Sequence, residues 1–127
     1  MAASDDRDDL FDEANALFAT GDFEQAVATY RRCVELDPEF FDGWHALGMA
    51  LLKTGEVKEA IGCGLQATTL RPNDLLAWTS LSQMYVQNGQ IVEAENAKGA
   101  ARILALGGKI AKEEGSGGGP PPAKDGT

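Results

Sequence analysis

The sequence predicts an all-α fold, a solenoid of three helical hairpins stacked side by side. Three observations lead there. The heptapeptides TGDFEQA, TGEVKEA and NGQIVEA begin at Thr20, Thr54 and Asn88, 34 residues apart each time. Apolar residues recur at helical spacing on both sides of each heptapeptide. Pro38 and Pro72 then close the first two units at the same spacing. A fixed period of this length is the mark of an array in which each unit buries its apolar face on its neighbour.

Each element has a local reason. A first helix is expected near 6–19, with Ala14 as the small residue where helices cross and Gly21 supplying the positive φ that ends it. The second, near 23–36, opens on Asp22-Phe-Glu-Gln25, a capping arrangement, and is stopped by Pro38. The third, near 40–53, carries Trp44, Leu47 and Leu51 on one face, with Gly48 at the crossing and Gly55 at the end. Val57, Ala60, Ile61 and Leu65 continue the pattern in the fourth, near 57–70, which Pro72 closes. Gly62 and Gly64 make this helix the weak one, because each costs about 0.8–1.0 kcal/mol against Ala. The bulk missing at Gly64 is expected to come from the next repeat, which opens on Leu75, Leu76 and Trp78. The fifth helix, near 74–87, has Trp78 and Leu81 in register with Ser82 at the crossing, and the sixth, near 90–106, has Ala94 and Leu104. Trp44 and Trp78 are expected to be largely buried anchors of their hairpins.

Aligned on the 34-residue register, the second unit holds Trp44, Leu47, Gly48, Ala60 and Pro72. The first holds Ala14, Ala26, Tyr30 and Pro38; the third holds Trp78, Leu81, Tyr85 and Ala94. This resembles the tetratricopeptide repeat, W-x2-L-G-x2-Y, A-x3-F, P. The departures are Leu10 and Glu13 in the first unit, Leu51 and Gly64 in the second, and Ser82, Lys98 and Leu106 in the third. The resemblance implies a right-handed helical-hairpin solenoid with repeats at 7–40, 41–74 and 75–106. Residues 1–6 form an acidic lead. From Gly107-Gly108 onward, GSGGGPPPAKDGT has the composition of a flexible linker, so 107–127 is expected to be a tail.

Charge is placed unevenly. The formal net charge is −9, and residues 1–42, with twelve acids and three bases, account for all of it. Such a chain repels phosphate backbones, so nucleic acid is not expected as a partner, whereas a basic segment of another protein is attracted. No apolar run approaches the roughly 20 residues that span a bilayer, and the acidic start is unlike an export signal. Cys33 and Cys63 lack ligand or C-x-x-C spacing and read as reduced packing residues of a cytoplasmic protein.

Catalysis needs a nucleophile with its base, a carboxylate pair in a pocket or a metal cluster. None is written here: His45 is the lone histidine, and the acids of the first unit read as a solvated face. No enzyme activity, cofactor or metal is expected. The resemblance instead implies a binding groove lined by the first helix of each repeat. Carried over by position, its lining is Asp8, Phe11, Asn15, Phe18 and Ala19, then Asp42, His45, Met49, Leu52 and Lys53, then Leu76, Thr79, Gln83, Val86 and Gln87. Phe11, Phe18, Met49, Leu52, Leu76 and Val86 would give an apolar floor with acids at one end, suited to an apolar or amphipathic segment with basic residues. Relatives that clamp the acidic tail of heat-shock chaperones use Lys, Asn, Asn, Lys and Arg; those positions hold Phe11, Asn15, Ala46, Leu76 and Ser80 here, which disfavours such a tail. The expected function is therefore a non-catalytic protein-interaction scaffold. Its rivals are a homo-oligomer assembled through a third repeat left uncovered near Ile103 and Leu104, and a small chaperone for an exported or assembling protein.

Overall fold

The structure, a computed structural model, describes residues 6–112. Six helices follow in chain order: α1 (Arg7–Ala19), α2 (Phe23–Leu36), α3 (Phe41–Thr54), α4 (Val57–Leu70), α5 (Leu75–Gln87) and α6 (Ile91–Ala105). Among the described residues there is no strand. Each helix packs on the one before and the one after it, so the chain is a solenoid of three hairpins. The expected tail from residue 113 onward lies outside the described residues.

The heptapeptide is the elbow inside each hairpin, and its geometry recurs three times. Gly21, Gly55 and Gly89 have φ of 86°, 86° and 76°. The amide of the residue after each glycine donates back to Leu17, Leu51 or Tyr85, at 2.9 Å in all three copies. This closure satisfies the carbonyls orphaned at the helix end, and only glycine enters the left-handed region without strain. The expected cap at Asp22 is not formed: its carboxylate accepts from the Thr20 hydroxyl at 3.2 Å rather than from α2. Side-chain caps sit on α1 and α5 instead, where Asp6 accepts from the Asp8 amide and Asp74 from the Ala77 amide. The elbow already fixes the entry into each second helix, so a cap there is dispensable.

Two stripes on each second helix explain the stacking. Ala26, Ala60 and Ala94 are buried, as are Cys33, Ala67 and Ala101. Val27 and Ile61 are buried one position further round, as are Tyr30, Gly64, Val34 and Thr68. In α6 those stacking positions hold Glu95, Lys98 and Arg102, all exposed. The end of the third repeat that would continue the stack is therefore charged. The surface expected to stay uncovered near Ile103 and Leu104 is open beside it: Ile103 is 48% exposed and Leu104 half-buried.

Gly48 and Gly64 form one socket. A Cβ at Gly48 would stand 2.8 Å from Met84 Cε, and one at Gly64 would stand 2.9 Å from Met84 Sδ and 3.0 Å from Leu81 Cδ1. The next repeat does fill the space at Gly64, but with Met84 and Leu81 rather than Leu75, Leu76 or Trp78. Gly62, in contrast, is exposed with nothing within 4 Å of its Cβ direction. Two substitutions in one helix should thus have opposite signs. Gly62→Ala is expected to stabilise by about 0.8–1.0 kcal/mol, whereas at Gly64→Ala that gain is outweighed by overpacking of about 1–3 kcal/mol. Chemical denaturation of the two variants checks this, and a raised midpoint for Gly64→Ala would contradict the socket.

Both tryptophans are largely but not fully buried, packed against the core. Each indole N–H donates to a proline carbonyl in the turn before its helix: Trp44 to Pro38 at 2.7 Å and Trp78 to Pro72 at 2.8 Å. The ring bridges the hairpin seam while its polar edge stays at the rim, which is why burial is incomplete. The chain does not leave the fold at Gly107-Gly108. Asn73 Oδ1 accepts from the amides of Ile110 (2.9 Å) and Ala111 (3.1 Å), and its Nδ2 donates to the Ala111 carbonyl at 2.8 Å.

Candidate functional site

The fifteen lining positions are the same five register positions repeated on α1, α3 and α5, and none of them is fully buried. They make one face running across three helices. Its floor, however, divides in two. Phe11, Phe18, Met49 and Leu52 are half-buried and packed against the core. Phe11 meets Phe40 edge-on at 5.0 Å and Tyr30 at 5.8 Å, and Phe18 meets Phe23 at 5.1 Å. Leu76 and Val86 stand free, 60% and 54% exposed. The open apolar surface therefore lies at the third repeat, because α5 has no later first helix to cover it.

The polar lining is also partly committed. Asp8 accepts from Arg7 Nη2 at 2.7 Å, while Arg7 Nη1 reaches Asp37 at 2.7 Å. The Arg7 hydrogen bond leads a set of causes that hold the Asp37 carboxyl below its ordinary range. Asp42 makes no ion pair among the described residues and is exposed, so it is the freer acid of the two on this face. Asn15 Oδ1 accepts the Tyr30 hydroxyl at 2.5 Å, which takes up the one residue matching the chaperone-tail clamp.

His45 has a partner the sequence did not reveal. Its Nε2 lies 3.0 Å from Ser80 Oγ, and its ring stacks on Phe41 at 6.1 Å. Ser80 is 4% exposed, so the pair ties α3 to α5 and offers no accessible nucleophile. Burial pushes the imidazole below its ordinary value, against the opposing pull of Asp74 and Asp42. The unfolded chain then binds a proton at higher pH than the folded one. The contribution is complete above the unfolded value of about 6.5 and is lost as pH falls toward the folded one. The wild-type melting temperature should therefore decline from about pH 7.5 to about pH 5.5. Because this is the only histidine, His45→Gln should flatten that slope; an unchanged slope would contradict the assignment.

The cysteines lie off this face. Cys33 and Cys63 are buried, and burial pushes the Cys63 thiol up to about 12. Two open clefts are also present, the second touching the face at Lys53. One of about 380 Å³ is lined by Trp44, Leu47, Cys63 and the Arg31–Glu59 ion pair; the other, about 500 Å³, sits at the elbows between Phe23 and Lys53. Among the described residues there is no cluster of potential metal ligands, and no helix is long and apolar enough to cross a membrane.

Residues 14–55 match the family profile described as TPR repeat, and residues 41–74 match the one described as tetratricopeptide repeat. No curated protein matches the chain in sequence. Among solved structures it is similar to a mutant of MamA, with 25% identity and a TM-score of 0.76 over 83% of this chain and 58% of that one. It is also similar to the Yersinia enterocolitica type III secretion translocator chaperone SycD (20%, TM-score 0.75, 82% of this chain and 79% of that one). A third is the second TPR of Spaghetti (RPAP3) bound to the HSP90 peptide SRMEEVD (23%, TM-score 0.73, 77% and 91%). The chain spans about three-fifths of the chains in the MamA and CopN-Scc3 structures it matches, 58% and 61%.

Proposed function

Since the chain belongs to the tetratricopeptide-repeat family, we propose that it is a non-catalytic interaction module holding an amphipathic, partly basic segment of another protein. The segment lies across α1, α3 and α5. The observation that carries this reading is the uncovered pair Leu76 and Val86 at one end of a continuous face. Toward the other end lies the N-terminal part of the chain, residues 1–42, where the whole net charge resides. Aliphatic side chains of the partner pack on α5, and its basic residues lie toward Asp42 and Asp8. Apolar contact supplies affinity, while the acids set orientation and association rate. SRMEEVD, the peptide in the RPAP3 structure, is acidic, and the clamp positions here offer no cation to it, so the proposed segment has the opposite charge.

Selection of binders from a random peptide library tests this. Enriched peptides should combine aliphatic residues with Lys or Arg, and should lose binding to Leu76→Glu and to Met49→Glu. Val92→Glu, on exposed α6, should leave binding unchanged. Enrichment of acidic peptides, or equal binding by Leu76→Glu, would refute the reading.

A further inference from the structure

Two of the three stacking positions of α6, Lys98 and Arg102, are opposite in charge to Asp9 and Glu13 at the stacking positions of α1; the third, Glu95, is acidic like α1. In α3 and α5 the residues that pack on the preceding repeat are buried: Gly43 and Ala77, Leu47 and Leu81, Ala50 and Met84. The same register in α1 holds Asp9, Glu13 and Ala16, all exposed. At the other end Lys98 and Arg102 take the places of Gly64 and Thr68, the residues that α4 buries against α5. A solvated cap would need only polarity; opposite signs at these four positions are a further feature.

Internal contacts fix which charges would meet. Val34 Cγ1 lies 3.0 Å from the Cβ direction of Gly43, and Leu81 Cδ1 lies 3.0 Å from that of Gly64. If a second copy continued the stack after α6, the first contact would become Arg102 against Asp9 of that copy. The second would become Lys98 against its Glu13. Both apolar contacts convert into cation–carboxylate pairs, and among the described residues none of these four groups has an ion pair of its own. The segment after α6 turns back at Gly107 (φ 92°) to Asn73, and leaves Lys98 and Arg102 exposed.

We infer that the chain associates with second copies head to tail, α6 of one on α1 of the next, through Arg102–Asp9 and Lys98–Glu13 pairs. Such a contact is heterologous, so it grows by addition rather than closing as a two-fold dimer. Screening reduces exposed ion pairs, so the association is salt-sensitive. It uses surfaces other than the binding face and stands independently of the proposed function.

Sedimentation of the full chain across a concentration series at low and high salt tests it. The weight-average mass should rise above the monomer's 13.4 kDa with concentration at low salt and return to it at high salt. Asp9→Lys with Glu13→Lys should stay monomeric, as should Lys98→Glu with Arg102→Glu. Mixing these two variants restores opposite charge at every junction and should restore the larger mass. A wild-type mass that stays monomeric overturns the inference. So does association that both charge-reversed variants retain, or a mixture of the variants that stays monomeric. Circular dichroism confirms that each variant is folded, which these exposed positions permit.

Discussion

Met84→Ala is expected to lower stability by about 2–5 kcal/mol, toward the top of that range. The side chain is fully buried, with its sulfur against Gly64 and its methyl against Gly48. Two glycines cannot lean in to fill the void, so the cavity persists and the cavity term is not relieved. Whole domains are stable by only about 5–15 kcal/mol, so this one change takes a large share. In a solenoid the loss falls on one junction, here the one joining the second and third repeats. Met84→Leu, close in volume, should cost less than about 1.5 kcal/mol. Urea denaturation of the three proteins measures it, and a Met84→Ala midpoint equal to wild type would mean that the socket does not hold the junction.

Trp78→Ala should cost about 2–3 kcal/mol: a largely but not fully buried aromatic surface plus about 1 kcal/mol for the bond to the Pro72 carbonyl. That corresponds to a drop in melting temperature of about 10 °C or more. Trp78→Phe keeps most of the packing and loses only the bond, so it should fall between wild type and Trp78→Ala. Lys58→Ala, on the exposed side of α4, should stay within about 0.5 kcal/mol of wild type. Thermal melts rank the four proteins; equal values for Trp78→Ala and Lys58→Ala would remove Trp78 as an anchor.

The elements legible in the sequence were those written locally and three times. Gly21, Gly55 and Gly89 marked the elbows because a left-handed residue at a helix end leaves little choice but glycine. Small residues at Ala26, Ala60 and Ala94 marked the crossings because nothing larger fits. Contacts between repeats were less legible, since no local pattern encodes them. Gly64 showed that a space existed, yet only the packing of α4 on α5 shows Met84 filling it. His45 read as a lone groove residue, because its partner Ser80 lies one repeat away. Phe11 and Phe18 read as free floor, whereas Phe40 and Phe23, beyond the turns, hold them against the core. Composition also misled at the C-terminus, where Asn73 retains Ile110 and Ala111 after a pair of glycines.

The claim that one face of α1, α3 and α5 binds the partner is tested most directly by photocrosslinking. A benzophenone side chain is placed at Thr79, exposed on α5 between Leu76 and Val86, and in a second protein at Gln66, exposed on α4. Each is irradiated with a labelled peptide from the library selection. The proposed function predicts crosslinking from Thr79, suppressed by Leu76→Glu in the same chain, and little from Gln66. Crosslinking from Gln66 with none from Thr79 would place the binding surface on the second helices and contradict it.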